Sequence, residues 1–541
     1  MNAHKEDVLP ITWVLAPMSA LAADEPNAIT DGPFGSNLKT RHYTDSGPRV
    51  IRLQNIGDGV FIDSRAHISR QHYELLRKHE ARPGDLVVAL LGDELPRACV
   101  VPQGTGPAIV KADCVRVRAN ETVASSSYLN YALNAFQTRR RAARMVHGVG
   151  RPRLSLHSLR QLELPIAPTP EQHRIVEAIE SLFTRLDAAA TILERVNANL
   201  RRYRASVLIA SVEGRLVPAE AALARVEGRD YEPADVLLKR ILVERRRRWE
   251  EVEFARLSAT REPPQDDRWK ARYRLPASPQ CDLPRLPEGW CWATLEQLSW
   301  NASYGTSLAC DRDASGVPVV RIPNISDGAL DLSDLKFCRT LSFSDSEALA
   351  PGDLLIIRTN GSRALIAKAA LVGDVLHSPH FFASYLIRFR LVLPEIGRWV
   401  LAYWHAPETR RHLEAEAATS AGQYNVSLAA LSKQLVPLPP LVEQSRIVTQ
   451  LSWLDSLAQR NAGVLSTSLQ RCRHLRQAVL QWAFEGKLVD QDPSDEPSSV
   501  LLERIRTDTA ATSRVLGGRV AEKRRRGQGR MRRLGTEEGA R

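Results

Sequence analysis

The chain of 541 residues is poor in aromatics, cysteine and methionine, and it has no long apolar run. Its seven cysteines are scattered, with no Cys-x-x-Cys pair. An odd set of unpaired thiols argues for a reducing cytoplasm and against structural zinc. No stretch approaches the ~20 apolar residues that a membrane span needs. The opening Met1-Asn2-Ala3-His4-Lys5-Glu6-Asp7 carries no signal-peptide core. Catalytic signatures are missing too. There is no Asn-Pro-Pro-aromatic motif for amino-group methylation, no convincing glycine-rich S-adenosylmethionine loop, no His-Glu-x-x-His and no Gly-x-Ser-x-Gly. The glycine-rich Asp31-Gly32-Pro33-Phe34-Gly35-Ser36-Asn37-Leu38-Lys39 lacks the spacing of a phosphate-cradling loop and reads instead as a loop able to approach DNA. His72, His79 and His147 read as surface or satisfied polar residues, and Asp93-Glu94 as solvated loop carboxylates. These absences point to a binder and away from an enzyme.

A net charge of +12 would suggest nucleic acid, but its placement weakens that inference. Residues 501–541 hold twelve basic and five acidic side chains, more than half of the excess. Lys523-Arg524-Arg525-Arg526 and Arg532-Arg533 read first as a solvated, disordered terminus. Non-specific attraction to DNA phosphates is the alternative.

What the chain does contain is a repeat. From Ile175 the apolar residues run Ile175, Ile179, Leu182, Leu186, Ala189, Leu193, Val196, Leu200, Tyr203, Val207, Ala210. Steps of four and three alternate without a break, the period of a coiled-coil seam. The ladder returns 272 residues later as Ile447, Leu451, Leu454, Ala458, Asn461, Leu465, Ser468, Cys472, Leu475, Val479, Trp482. Both ladders open on Glu-Gln-x-Arg-Ile-Val (Glu171, Glu443) and close on Glu-Gly-basic-Leu-Val (Glu213, Glu485). Thr169-Pro170-Glu171-Gln172 predicts an N-cap with a capping box, and Gly214 a left-handed stop. The second helix has Leu441 where the first has Thr169, and its seam centre is the polar Asn461.

The regions before each helix also correspond. Val50-Ile51-Arg52-Leu53-Gln54-Asn55-Ile56-Gly57-Asp58-Gly59 aligns with Val319-Val320-Arg321-Ile322-Pro323-Asn324-Ile325-Ser326-Asp327-Gly328. Pro83-Gly84-Asp85-Leu86 matches Pro351-Gly352-Asp353-Leu354, and Leu154-Ser155-Leu156 matches Val426-Ser427-Leu428. Short β-type runs (49–53, 85–91, 115–117) and a helical stretch over Ser127–Val146 read as an irregular α/β domain. Between 218 and 285 a helix and a Pro-rich loop are expected. There Arg245-Arg246-Arg247-Arg248 lies among Glu244, Glu250, Glu251 and Glu253, which favours a solvated or protein-contact face over a DNA contact.

Arginine reads guanine, and Asn or Gln reads adenine, by paired hydrogen bonds in the major groove. The first-domain candidates are Lys39, Arg41, Arg49, Arg52, Gln54, Asn55, Arg97, Arg151 and Arg153. The second-domain candidates are Arg321, Asn324, Arg358, Asn360, Arg363, Lys368, Gln423 and Asn425. Asn55 and Asn324 have a simpler alternative, closing the turn before Asp-Gly.

Several motifs, in this order, resemble the specificity subunit of a type I restriction-modification system. They are Asp31-Gly32-Pro33-Phe34-Gly35-Ser36, Arg52-Leu53-Gln54-Asn55-Ile56, Leu286-Pro287-Glu288-Gly289-Trp290-x-Trp292, Arg321-Ile322-Pro323-Asn324-Ile325, Pro437-Leu438-Pro439-Pro440-x-x-Glu443-Gln444 and Phe484-Glu485-Gly486-Lys487-Leu488. The likeness runs over residues 9–505. It implies an α+β chain with a pseudo-twofold internal repeat. Two globular α/β target recognition domains (1–168, 286–440) would be joined by two long helices (169–217, 441–490) in an antiparallel coiled coil. A connector helix and linker (218–285) and a short helix with a basic tail (491–541) complete the division. The implied seam is Ile175, Ile179, Leu182, Leu186, Leu193, Leu200, Val207 against Ile447, Leu451, Leu454, Leu465, Leu475, Val479.

The resemblance implies a non-catalytic subunit in which each domain reads half of a split site in double-stranded DNA. The helices would dock two modification (methyltransferase) subunits, which methylate adenine with S-adenosylmethionine. Restriction subunits would add ATP- and Mg2+-dependent cleavage. This chain itself would bind no cofactor and no metal and would act in the cytoplasm, away from membranes. A seam of 36 residues is about 54 Å long, against about 34 Å for one turn of B-DNA. The rival classes are a scaffold that dimerises through its helices and a single-chain modification enzyme.

Overall fold

Three long helices, α1 (Thr169–Val212), α2 (Ala234–Thr260) and α3 (Leu441–Phe484), organise the chain. The computed structural model describes residues 9–148, 150–260, 264–280, 283–326, 328–339, 347–420, 422–504 and 507. The arginine-rich tail lies outside them. Helices α1 and α3 stop in the same way. Gly214 and Gly486 sit at φ +70° and +69°. The Arg215 N–H returns to the Ala210 carbonyl at 2.8 Å, and the Lys487 N–H to that of Trp482 at 2.9 Å. A left-handed glycine closes both helices because a Cβ would resist that backbone. At the start of α1 the expected capping box gives way to another use of Gln172. Its Nε2 donates to the Val123 and Ala167 carbonyls at 2.9 and 2.8 Å, tying the helix to the domain before it.

Contacts divide the chain within these helices and not at their ends. One unit holds residues 1–193 with 466–541; the other holds 194–465. Each therefore contains one globular region and part of both α1 and α3, while α2 lies wholly in the second.

In the first unit a four-stranded antiparallel sheet runs in the order Ile29–Asp31, Cys114–Val117, Leu86–Ala89, Arg97–Val100. A second sheet sets Tyr43–Ile51 parallel to Ala108–Val110, flanked by His67–Ile68 and Glu80–Ala81. The stretch Ser127–Val146 forms two helices, Ser126–Asn134 and Phe136–Ala143, because Ala135 is extended (φ −71°, ψ 144°). The carboxamide of Asn134 at the break bonds both backbone groups of Ala98, anchoring the first helix to the sheet. One core joins this sheet to Ile175, Ile179 and Phe183 of α1 and to Leu480, Ala483 and Phe484 of α3.

The second unit repeats the plan. Its four-stranded sheet is Ser299–Tyr304, Leu386–Leu391, Asp353–Ile357, Ala369–Leu371. Val317–Val320 lies parallel to Phe381–Phe382 and antiparallel to Lys336–Cys338. The equivalent helix pair, Gly397–His405 and Pro407–Ala415, breaks at Ala406, where the following proline disfavours helical backbone. The N-terminal end of α2 supplies Ala234, Leu237 and Ile241 to the core. Arg246 pairs with Glu250, Arg247 with both Glu244 and Glu251, and Arg248 with Glu244 along the helix, while Arg245 donates to the Ser299 and Glu296 carbonyls. That run is a solvated and protein-contact face.

The same tether fastens each helix start to its domain. Trp13 Nε1 donates to Glu171 at 3.0 Å, and Trp290 Nε1 to Glu443 at 2.9 Å. Both carboxyls are buried. Burial pushes each above the usual carboxylate value, and the indole donor pulls it partly back.

Within each unit the helix halves run antiparallel. In the first, Ile175 and Ile179 share a core with Ala483 and Phe484, while Asp187 pairs with Arg476 further along both helices. In the second, Val212 packs near Ile447 and Leu451, and Arg204 pairs with Asp455. Ile175, Ile179, Ile447 and Leu465 are buried; Leu182, Leu186, Leu193, Leu200, Val207, Leu451, Leu454 and Val479 are half-buried. Leu475 departs from the ladder and stands 44% exposed. Arg476 turns inward in its place, its guanidinium 4.0 Å from the Phe183 ring centre. Val196, Tyr203, Asn461 and Trp482 are exposed as well. The packed stripe slips by one residue where α3 meets the globular core, since that surface is broader than a two-helix seam.

Candidate nucleic-acid interface

Each unit mounts its loops on the same buried frame. Asp85, at the left-handed Gly84 turn, receives a two-pronged bond from Arg118 at 2.9 and 3.0 Å. Asp353 receives the same from Arg390, both at 2.8 Å. Such forks are charge-assisted and fix direction as well as distance. The Pro-Gly-Asp-Leu turns are visible in sequence; their arginines, 33 and 37 residues further on, are not. A second buried arginine in each unit holds neighbouring carbonyls, Arg116 those of Glu80 and Ala28 and Arg388 that of Glu347. Burial lowers Arg388 to about 10, still cationic at neutral pH. Ser155 and Ser427 cap equivalent short helices.

Gly32 and Gly305 let the first loop cross a parallel strand at close range. A Cβ on Gly32 would lie 2.1 Å from the Lys111 carbonyl carbon, and one on Gly305 2.1 Å from the Phe382 oxygen. Only glycine fits there, which explains this part of the glycine-rich loop.

The paired Arg-x-x-Asn motifs form identical turns. Asn55 Oδ1 accepts from the Arg52 N–H at 2.8 Å, and its Nδ2 donates to the Ile62 and Ser64 carbonyls, both at 2.8 Å. Asn324 accepts from the Arg321 N–H at 2.8 Å and donates to the Asp331 and Asp334 carbonyls at 2.8 and 3.0 Å. Each asparagine is 1% exposed. Neither is free to touch a base, so both belong to the frame and leave the list of candidate readers.

The remaining candidates differ in how free they are. Lys39, Arg41, Gln54, Arg151, Arg363, Lys368 and Gln423 are exposed, and Arg153 is too. Arg49 is half-buried, 2.6 Å from Asp63, and its hydrogen bond holds that carboxyl below the usual range. Arg52 donates to Ser64, as does Gln54. Arg321 donates to the Asp334 carbonyl at 2.8 Å. Arg363 bonds the Glu414 carbonyl, and Asn360 accepts from the Ser362 N–H. Asn425 is half-buried in the strand Gln423–Asn425, opposite Thr359–Asn360. Arg97 is half-buried on its strand.

Two clusters emerge. In the first unit Arg153 lies 5.6 Å from the Phe34 ring centre and 2.9 Å from Asp113. Its backbone bridges His147 across its own loop and Leu91 of another, so the loops of Phe34, Leu91, Asp113 and Arg153 itself meet there. Lys39 and Arg41 flank a pair of rings, His42 and His72, 4.3 Å apart. Desolvation, then His72, Arg41 and Lys39, hold His42 below the ordinary histidine value. In the second unit Arg358 stacks 4.6 Å from the Tyr304 ring centre and bonds Tyr385 and Val426 through its backbone. Beside it opens a cavity of about 400 Å³ lined by Arg321, Lys336, Thr306, Ser384, Tyr385 and Cys310. Sequence reasoning singled out the loop of Phe34 but not that side chain, and it missed Tyr304, Tyr385 and Lys336. The available signal was an aromatic next to glycine at the loop start, in Pro33-Phe34-Gly35 and Tyr304-Gly305.

These arrangements offer arginine, amide and aromatic groups on loops, the groups that stack on and hydrogen-bond to bases. Among the described residues no group of three His, Cys, Asp or Glu side chains is placed to hold a metal ion, and no helix is long and apolar enough to cross a membrane.

Comparison with known proteins agrees with this frame. Residues 104–198 match the family described as type I restriction modification DNA specificity domain. The chain is 22% identical to the type I restriction enzyme EcoKI specificity subunit of Escherichia coli K12, covering 97% of this chain and 100% of that one. It is 21% identical to the StySPI specificity subunit of Salmonella potsdam, covering 95% and 98%. A solved chain from work on complex assembly and conformational transition of the type I R-M system shares the fold. Its TM-score is 0.57 at 18% identity, over 89% of this chain and 99% of that one.

Proposed function

We infer that this chain, which belongs with the type I restriction-modification specificity subunits, uses its two globular regions as separate readers of one bipartite DNA site. The observation that carries this is one frame with two sets of loop side chains. The Asp85 and Asp353 forks and the Asn55 and Asn324 turns coincide. Where the Leu154 N–H meets the Leu90 carbonyl, the second unit joins Val426 to Arg358. Where the first surface presents Arg153 by Phe34, the second presents Arg358 by Tyr304, with Asn425 on the adjoining strand. A shared scaffold with unlike loops is what two targets require.

In this reading Arg151, Arg153, Arg97, Gln54, Arg358, Asn360, Gln423 and Asn425 supply base contacts, and Lys39, Arg41, Arg363 and Lys368 supply phosphate contacts. The chain is non-catalytic. Its helices set the separation of the half-sites and dock two modification subunits, which bring S-adenosylmethionine and methylate adenine. Restriction subunits supply ATP- and Mg2+-dependent cleavage. This chain's own contribution is positional: it selects which adenine meets the methyltransferase.

The test is methylation mapping in cells that express the chain with its modification subunit. Replacing residues 1–168 by the equivalent region of another specificity chain should change one half of the methylated motif. Inserting four residues at Val196 should change the spacer and leave both halves intact. A chimera that altered both halves together, or purified chain that transferred methyl groups unaided, would overturn the assignment.

A further inference from the structure

Asp311 and Phe337 face each other as an antiparallel pair that exchanges both backbone hydrogen bonds, at 3.0 and 2.8 Å. The next pair along such a ladder is non-hydrogen-bonded, with Cα atoms about 4.5 Å apart and both side chains on one face. That pair is Cys310 and Cys338. A disulfide spans Cα separations of about 4.4–6.8 Å, so these two can join with little backbone movement. The contrast with Cys99 and Cys114 is instructive. Those thiols lie on strands to either side of Leu86–Ala89, opposite Val87 and Ala89. Two strand spacings of about 4.8 Å put them beyond bridging distance.

Cys338 is fully buried, while Cys310 is half-buried and lines the open cavity with Arg321 and Lys336. An oxidant therefore reaches Cys310 first. We propose that Cys310 and Cys338 are a redox modification site that closes to a reversible disulfide beside the reading surface of the second unit. The co-reactant is a peroxide. The Cys310 thiolate attacks one oxygen of hydrogen peroxide and the O–O bond breaks; the departing hydroxide takes up the proton that the Cys310 thiol had shed, leaving one water and a sulfenic acid on Cys310. The Cys338 sulfur then attacks the Cys310 sulfur, the S–S bond forms, and the hydroxyl departs as a second water with the Cys338 proton. Two thiols lose two electrons, and one peroxide accepts them.

Desolvation raises the Cys310 thiol, so closure speeds up as pH rises. The bond locks residue 310 onto the strand Lys336–Cys338 and removes the Cys310 thiol from the cavity wall it shares with Arg321. This consequence rests on reading that surface as DNA-facing.

Full-length chain is treated with hydrogen peroxide, free thiols are alkylated, and the digest is analysed by mass spectrometry. A Cys310–Cys338 linked peptide is expected, reversed by dithiothreitol and absent in Cys310→Ser, with Cys99 and Cys114 still alkylated. Alkylated Cys338 beside a sulfinic Cys310 would overturn the proposal. Binding of a fluorescent mixed-sequence duplex should weaken at least about threefold on oxidation of the natural chain, about 0.7 kcal/mol, and not in Cys310→Ser. A linked peptide with unchanged affinity would overturn the coupling to DNA. Absence of binding in both redox states would instead refute DNA reading and leave the peptide result standing.

Discussion

Replacing Asn324 by alanine separates frame from reader. The side chain is 1% exposed and makes three hydrogen bonds within one turn: from the Arg321 N–H at 2.8 Å, and to the Asp331 and Asp334 carbonyls at 2.8 and 3.0 Å. Each neutral hydrogen bond contributes about 1 kcal/mol net, so losing three in a buried turn should cost about 3 kcal/mol. For a unit of this size, 1 kcal/mol moves the midpoint by about 2–4 °C, which gives a drop of about 6–12 °C in the melting of the second unit. Differential scanning calorimetry of the full chain measures this. Asn55→Ala should lower the first unit to a similar degree, because its three bonds match within 0.2 Å. Methylation mapping at a permissive temperature should return the unaltered motif for both variants. If Asn324→Ala melted like the natural chain yet changed the preferred base at one position, the asparagine would be a reader and the reasoning here would fail.

Other expectations concern the frame and its titration. Gly305→Ala places a Cβ 2.1 Å from the Phe382 oxygen. Overpacking against a fixed strand should destabilise the second unit by about 1–3 kcal/mol, whereas Gly361→Ala, with open space around it, should be silent. Thermal melts of the two variants decide this. Glu443 has its pKa raised from 4.5 by burial. The folded state therefore holds this proton more tightly than the unfolded one, and the resulting stability fades as pH climbs from 4.5 through the raised value. Glu443→Gln should flatten that part of the difference in a pH series of urea unfolding; an unchanged slope would show that Glu443 does not titrate on folding. Arg358→Ala removes the cation stacked on Tyr304 and should relax the methylated motif by about 1–3 kcal/mol at one position of one half-site, read as the ratio of methylation at matched and mismatched sites.

Much of this protein is written in its order of residues, because the relevant physics is local. A four-three apolar ladder dictates a long helix. A glycine after Glu213 or Glu485 dictates where it stops, since that backbone is left-handed. Ser155 and Ser427 announce helix starts, and Pro407 announces the break before it. Ala135 breaks its helix with no such residue nearby, so that break came from packing of Asn134 on Ala98. The duplication itself is a statement about sequence alone.

Only the tertiary structure decided which polar residues were free. On paper Asn55 and Arg153 are both candidate base readers, Asn55 with a turn-closing role as its alternative. One is sealed by three backbone partners, while the other stands exposed beside Phe34. The Asp–Arg forks, the glycines pressed on a parallel strand, and the turn of Arg476 into the place of Leu475 all join residues distant in the chain. Helical periodicity fixes which residues share a stripe, but the breadth of the stripe depends on what packs against it. Near a globular core that surface is wide, and here it moved the buried line by one residue.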